Sequence, residues 1–433
     1  MIAPRVAVKD VVAIPAGPRR VAVTGIGCIT PIGSGATGLL EGLKRGESAV
    51  RRISRFDPSP FRSQIAAEVH EFDPGQYMDR LRYKRLDRFA QFAVASARMA
   101  VEDAGLRPES LNPDRVAVLL GSALGGVCFA EEQYDLYRTN GVKAVNPLLA
   151  LSVFCGSGSC NIAIEFGFTG PNSTNAMSCA SGAIAVGESW KLIRSGEADF
   201  ALAGGVEAPL SPLSYGAFAI LRAMSTRNDD PSRASRPFDS GRDGFVMAEG
   251  AAMLMLEEME HAKARGATIY AEICGYGTTN DAFHMTAPRP DGQQAARAMR
   301  AALEAAGIAP EQVEYVNAHA SSTQLNDSTE SRVIREVFGS HADSLVVSGT
   351  KGFHAHCLGA TGAIEAGVTA LALRHGWIPP TLNLETPDAD CDLPYATGSG
   401  DNRRVRYAIS NSFGFGGINA ALVFGAVPET TVL

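Results

Sequence analysis

No stretch of this 433-residue chain stays apolar long enough to cross a membrane. One long uncharged run, Val145 to Ile164, is broken by Pro147, Gly156, Ser157, Gly158, Ser159 and Asn161, whereas a spanning helix needs about 20 consecutive apolar residues. Positive charge is scarce too. The 39 Lys and Arg against 46 Asp and Glu leave a net charge of −7, which speaks against a surface built for nucleic acid. Eight cysteines at irregular spacing make no disulfide framework in a chain of this length and fit a reduced, cytoplasmic protein. Cys155 and Cys160 lack a second pair, so no zinc site is expected. Residues 1–20 carry Arg5, Lys9 and Asp10 and lack the apolar block of a signal peptide.

What is present is an alternation of apolar strands and helical patterns. Arg20 to Gly27, Val116 to Ser122, the residues before Cys179, Asp199 to Gly205 and Ala251 to Leu256 read as buried strands. Helical spacing runs through Tyr83 to Ala104 and through Ser181 to Arg194, the second ending at Gly196. The pattern then restarts, with strands at 269–275, 313–318 and 345–348, helices at 293–307 and 362–374, and closing strands near Tyr407 and Ala421. Such an alternation predicts an α/β fold with parallel strands covered on both faces.

Two of the helices align at an offset of 180 residues. Gly182, Ala183, Ile184, Gly187, Arg194 and Gly196 meet Gly362, Ala363, Ile364, Gly367, Arg374 and Gly376. A duplication is therefore expected. It gives an extension over residues 1–19, a first half over 20–260, a second half over 261–426 and a tail over 427–433.

Reactive residues fall just beyond strands, where open α/β folds place their ligands. Cys179 stands at a strand-to-helix junction, where unpaired N–H groups and the helix dipole lower a thiol's pKa and favour a thiolate nucleophile. His319 and His356 lie on serine- and glycine-rich loops of the second half. His354 and His356 have no acidic or third partner at metal-ligand spacing, so no metal is expected. Asn411 to Asn419 reads either as a tight turn between the last strands or as a loop whose N–H groups stabilise an oxyanion. Arg80, Arg82, Lys84, Arg85 and Arg88 form a basic cluster in an acidic chain, either a solvated helix face or a dock for an acidic partner.

In these motifs the chain resembles the β-ketoacyl-acyl-carrier-protein synthases of the elongating type II, Cys-His-His kind, in the thiolase superfamily. The resemblance rests on Ser178-Cys179-Ala180-Ser181-Gly182, on Asn317-Ala318-His319 followed by Ser322-Thr323, and on Gly349-Thr350-Lys351 followed by His356, Leu358, Gly359 and Ala360. Asn411-Ser412-Phe413-Gly414-Phe415-Gly416-Gly417 belongs to it as well, as do Ser235 to Phe245 and Asp281 to Pro288. It spans about Val21 to Phe424.

The resemblance implies a thiolase-like fold, two duplicated βα halves in five αβαβα layers. It also implies decarboxylative condensation of an acyl group on Cys179 with malonyl-acyl-carrier protein, in fatty-acid or type II polyketide elongation. Cys179, His319, His356 and Lys351 would be the catalytic set, supported by Glu330, Glu365 and Phe413. Backbone N–H groups of Cys179 and Phe415 would form the oxyanion hole, Phe415 would gate the site, and Leu124 would wall the acyl pocket. Lys84, Arg85 and Arg88 would dock the acyl carrier protein. No cofactor is implied, and neither a nucleic-acid nor a membrane partner. A homodimer is expected, or a heterodimer with a chain-length-factor-like subunit. A non-catalytic partner subunit is disfavoured by the presence of Cys179, and a thiolase by the paired histidines. The chain departs from the family pattern at Ala320, Ser321, Gln324, His354, Ala355 and Ile418.

Overall fold

The computed structural model describes residues 17–428. Most of the expected extension, 1–19, and of the tail, 427–433, lies outside them. Among the described residues, ten principal strands carry the fold. These are β1 (Val21–Thr30), β2 (Val116–Gly121), β3 (Asn172–Asn175), β4 (Phe200–Glu207), β5 (Gly250–Glu258), β6 (Ala271–Asn280), β7 (Tyr315–Asn317), β8 (Val346–Ser348), β9 (Tyr407–Gly414) and β10 (Ile418–Gly425). The helices of eight or more residues are α1 (Gly35–Arg45), α2 (Arg88–Asp103), α3 (Val127–Asn140), α4 (Ser157–Phe166), α5 (Ser181–Ser195), α6 (Pro212–Ile220), α7 (Gln293–Ala306), α8 (Gln324–Phe338) and α9 (Thr361–His375).

The spatial order of strands is β3-β2-β4-β5-β1 in the first half and β8-β7-β9-β10-β6 in the second. Ranked by position in the chain, both orders read third, second, fourth, fifth, first. The pairing sense repeats as well. In each half the second strand is parallel to the third and the fourth, and the last two pairings are antiparallel. The halves meet where Val21–Val23 of β1 pairs antiparallel with Ala271–Ile273 of β6. The fold is thus a duplication, as the helix alignment implies.

The five layers follow from which faces are apolar. Helices α2 and α4 cover the outer face of the first sheet, and α7 and α8 that of the second. Between the sheets lie α5 and α9, and every residue of α9 from Thr361 to Leu373 is buried. The two central helices cross at the aligned glycines. A Cβ on Gly182 would lie 2.8 Å from the Ala363 nitrogen, and one on Gly362 would lie 2.8 Å from the Ala183 nitrogen. The contacts are reciprocal, as a local two-fold requires, and only hydrogen side chains fit them.

Three expectations are corrected here. The sheet is mixed rather than parallel, because β5 and β10 return antiparallel; fully buried strands carry no alternation from which direction can be read. Strand β3 is an exposed edge, with Asn172 and Ser173 open to solvent, not a buried strand. The helical stretch from Tyr83 to Ala104 is two helices. A short turn, Arg80–Tyr83, is separated from α2 by residues 84–87, and the Asp87 carboxylate caps α2 by accepting from the Ala90 N–H at 3.1 Å.

Candidate active site

Cys179 occupies a single 3₁₀ turn, Ser178–Ala180, at the start of α5. The hairpin turn between β9 and β10 lies directly over it. A Cβ on Gly414 would come 3.2 Å from the Cys179 nitrogen, and the Phe415 N–H lies near enough to the Cys179 sulfur to favour its thiolate. The glycine-rich stretch is therefore both things it resembles in sequence, a strand-to-strand turn and a loop presenting an N–H to the nucleophile.

The second half supplies the rest. His319 follows β7, and its loop is shaped by Glu330 on α8. That buried carboxylate accepts from the N–H groups of His319 and Ala320, both at 2.8 Å, and from Asn411 Nδ2 at 3.2 Å. His356 follows β8 and the short helix Lys351–His354. Its Nδ1 accepts from the Leu358 N–H at 3.2 Å and lies 2.9 Å from the Thr361 hydroxyl. With Nδ1 an acceptor, the neutral ring carries its proton on Nε2.

The two imidazoles stand with ring centroids 5.4 Å apart at 77°. Phe413 lies 6.0 Å from His319, and Phe245 meets His356 edge-on at 5.5 Å. Cys179, both histidines, Phe413 and Phe415 line one cavity of about 410 Å³.

Lys351 is buried against this site. Its Nζ donates to the His319 carbonyl and to Glu365 Oε1, the latter at 2.5 Å. Glu365 is thus the direct ion partner of Lys351, while Glu330 acts on the backbone of the histidine loop. Burial pushes the carboxyls of Glu330 and Glu365 up to about 7. Burial first, then the Lys351 charge, holds both histidines well below the ordinary imidazole range, so both are neutral at pH 7.

The thiol behaves otherwise than its junction position suggests. Burial pushes Cys179 up to about 11, although the Phe415 N–H and Lys351 pull it back. Desolvation outweighs the N–H groups, and the resting nucleophile is a neutral thiol. Backbone strain is concentrated around it. Ser178, Ala320, Ser322, Ala355 and Leu358 all have positive φ, between 41° and 66°.

Two other placements differ from expectation. Leu124 does not line the cavity; it packs with Phe415 against the apolar cluster of Tyr215, Phe245 and Leu358. Arg88 is not a free docking group. Its guanidinium clasps the buried Glu249 carboxylate at 2.9 Å and donates to the Val69 carbonyl at 2.7 Å. Arg82 is engaged likewise with Glu165 and the Asn161 carbonyl, whereas Lys84 and Arg85 are exposed.

The sequence reading missed Thr361 and Glu207, and it gave the Asn411 side chain no role. Glu207, at the end of β4, accepts from the N–H groups of Ala123, Leu124 and Gly359 at 2.8–3.0 Å. A glutamate closing a fully apolar strand was the available signal. Among the described residues no group of three or more His, Cys, Asp or Glu side chains is arranged to hold a metal, and no helix is long and apolar enough to cross a membrane.

A duplicated α/β frame that brings a cysteine under a backbone N–H and beside two neutral histidines defines a condensing acyltransferase. The comparisons agree. Residues 18–262 match the N-terminal domain of beta-ketoacyl synthase and residues 270–385 its C-terminal domain. The chain belongs to the β-ketoacyl synthase family.

It is 44% identical to the 3-oxoacyl-[acyl-carrier-protein] synthase 2 of Coxiella burnetii, over 94% of this chain and 99% of that one. To the enzyme of the same name from Synechocystis sp. it is 46% identical, over 94% and 98%. Two solved structures match with TM-scores of 0.89 at 36% identity, each covering 95% of this chain and all of the other. One is a type II polyketide ketosynthase in complex with its acyl-carrier protein, and the other is the ishigamide ketosynthase/chain length factor.

Proposed function

We propose that the chain elongates acyl chains by decarboxylative condensation, with Cys179 as nucleophile and His319 and His356 as the pair that handles the malonyl unit. The observation that carries this is the convergence of one thiol, one N–H donor and two neutral imidazoles in one cavity. Cys179 Sγ attacks the acyl thioester on a carrier protein. A C–S bond to the enzyme forms, the C–S bond to the carrier breaks, and the Sγ proton ends on the departing carrier sulfur. The Phe415 and Cys179 N–H groups stabilise the tetrahedral oxyanion.

Malonyl-carrier protein then enters and loses CO₂. The Nε2 protons of His319 and His356 hold the thioester oxygen of the resulting enolate. The enolate carbon attacks the acyl-Cys179 carbonyl, releasing the cysteine and a β-ketoacyl-carrier protein. No cofactor is required, since the thioester supplies the leaving group and CO₂ loss the driving force. Lys351 and Glu365 hold the His319 loop in place, and the carrier docks through Lys84 and Arg85. The reaction belongs to the cytoplasm.

The partner at the sheet edge is a second copy of the chain. β3 presents unpaired backbone groups, and Leu151, Phe154, Ile164 and Met177 leave apolar surface open near it. The likeness to a ketosynthase/chain length factor structure supports a second reading, in which a related, chain-length-setting subunit takes that edge.

Intact mass after incubation with acyl-carrier protein, then with malonyl-carrier protein, separates these readings. An adduct on Cys179 that disappears as CO₂ and a two-carbon-longer ketoacyl product form supports the self-sufficient elongating enzyme. An adduct that never condenses supports the heterodimer. No adduct, with no CO₂ released, rejects both. Reversing Lys84 and Arg85 to Glu raises KM for the carrier-bound substrate and spares small thioester mimics; unchanged KM removes the docking assignment.

A further inference from the structure

Ala355 immediately precedes His356, and its backbone is in an unusual state. With φ at 58° and ψ at −160°, it occupies a region confined almost entirely to glycine. It is also fully buried, so it has no solvent-exposed room in which to relax.

Something holds it there. The His354 Nδ1 lies 2.7 Å from the Ala355 carbonyl oxygen. A carbonyl only accepts, so Nδ1 carries the proton and donates. The ring's other nitrogen, Nε2, is then an acceptor, and the Thr350 hydroxyl lies 3.2 Å from it. His354 is itself fully buried and burial holds it neutral, which keeps this single tautomer.

The carbonyl so gripped belongs to the peptide bond joining Ala355 to His356. The N–H of the same peptide donates to the Val246 carbonyl at 2.8 Å, and the His356 carbonyl accepts from the Ala248 N–H at 2.9 Å. His354 thus grips the carbonyl end of a peptide whose N–H end Val246 grips, and the two bonds together fix the plane from which the His356 side chain departs. We propose that His354 is a positioning residue, whose Nδ1–H fixes the Ala355–His356 peptide in its glycine-like conformation and so sets where His356 aims Nε2. The inference rests on His356 serving the malonyl step.

The test compares the two half-reactions of the full-length enzyme, Cys179 acylation by intact mass and CO₂ release from malonyl-carrier protein. His354→Leu keeps the volume and removes both ring nitrogens. CO₂ release is expected to fall about tenfold or more while acylation changes by less than about twofold. His354→Asn places an amide N–H where Nδ1 stood and restores CO₂ release to within about threefold of wild type. Ala355→Gly added to His354→Leu removes the strain and also recovers activity.

Equal losses in both half-reactions overturn the proposal, as does undiminished CO₂ release in His354→Leu. Should His354→Leu not fold, Asn against Gln decides, because only Asn sets its N–H at the Nδ1 position; equal activity of the two overturns the proposal. CO₂ release by His356→Ala against wild type, measured alongside, is the separate check on the role of His356.

Discussion

The two halves share a strand order, a pairing sense and a central helix, yet they supply different chemistry. In the first, the loop before the central helix delivers a thiol. In the second, the equivalent loop delivers an imidazole and a lysine, and the loop after β7 adds another imidazole. Each half also uses a buried glutamate in a similar way. Glu207 takes the successive N–H groups of Ala123 and Leu124 after β2, and Glu330 takes those of His319 and Ala320 after β7. The comparison separates what the frame provides, namely a rigid loop beyond each second and third strand, from what single side chains provide.

The largest effects divide the chemistry between the halves. Cys179→Ala abolishes the acyl adduct and lowers condensation by about 10³-fold or more. His319→Ala and His356→Ala leave acylation in place and lower CO₂ release by about 10²–10³-fold, as expected for loss of an oxyanion donor. Loss of acylation in the histidine variants would erase the division.

Next is the buried Lys351–Glu365 ion pair of the second half. Lys351→Met leaves Glu365 buried without its cation, and removing one member of a buried pair costs about 3–5 kcal/mol. Denaturant unfolding measures it, and a change below about 1 kcal/mol would mean that the pair contributes little.

Smaller still are the two crossing glycines. Gly182→Ala and Gly362→Ala each force a methyl against backbone and should cost about 1–3 kcal/mol, by similar amounts. A clear difference between them would break the local symmetry.

The last contrast is in pH. The Cys179 thiol is pushed up to about 11, so iodoacetamide alkylation of the free enzyme should rise with pH, by about tenfold per unit, until near that value. The imidazoles are held neutral, so they should give CO₂ release no acid limb of their own between pH 6 and 8. A limb in that range that persists in Glu330→Gln and Glu365→Gln, whose parent carboxyls burial pushes up to about 7, would mean that one histidine works as a cation.

Much of this was legible before any coordinates. The ends of α5 could be read from small residues and Gly196, and the reactive residues from the loops they sit on. Strand direction was not legible, because β5 and β10 are apolar on both faces. Asp87 was a readable helix cap inside a stretch that otherwise looks continuously helical. The state of Cys179 was out of reach, since burial is set by β9, β10 and α9, far away in sequence. Arg88 shows the same limit. Its charge is plain, and only the fold reveals the carboxylate of Glu249 that consumes it.

The crossing of α5 and α9 also bears on how the chain is made. Ala183 leaves the ribosome 180 residues ahead of Ala363, an interval of roughly 10–40 s at ordinary synthesis rates. For that time the first half can close its own sheet, but the inner face of α5 has no cover. A nascent chain therefore carries an apolar, glycine-notched surface that fits the α9 of another copy still folding as well as its own. Polysomes are where two chains of this protein would be most prone to exchange halves, and the speed of translation past residue 375 sets how often they do.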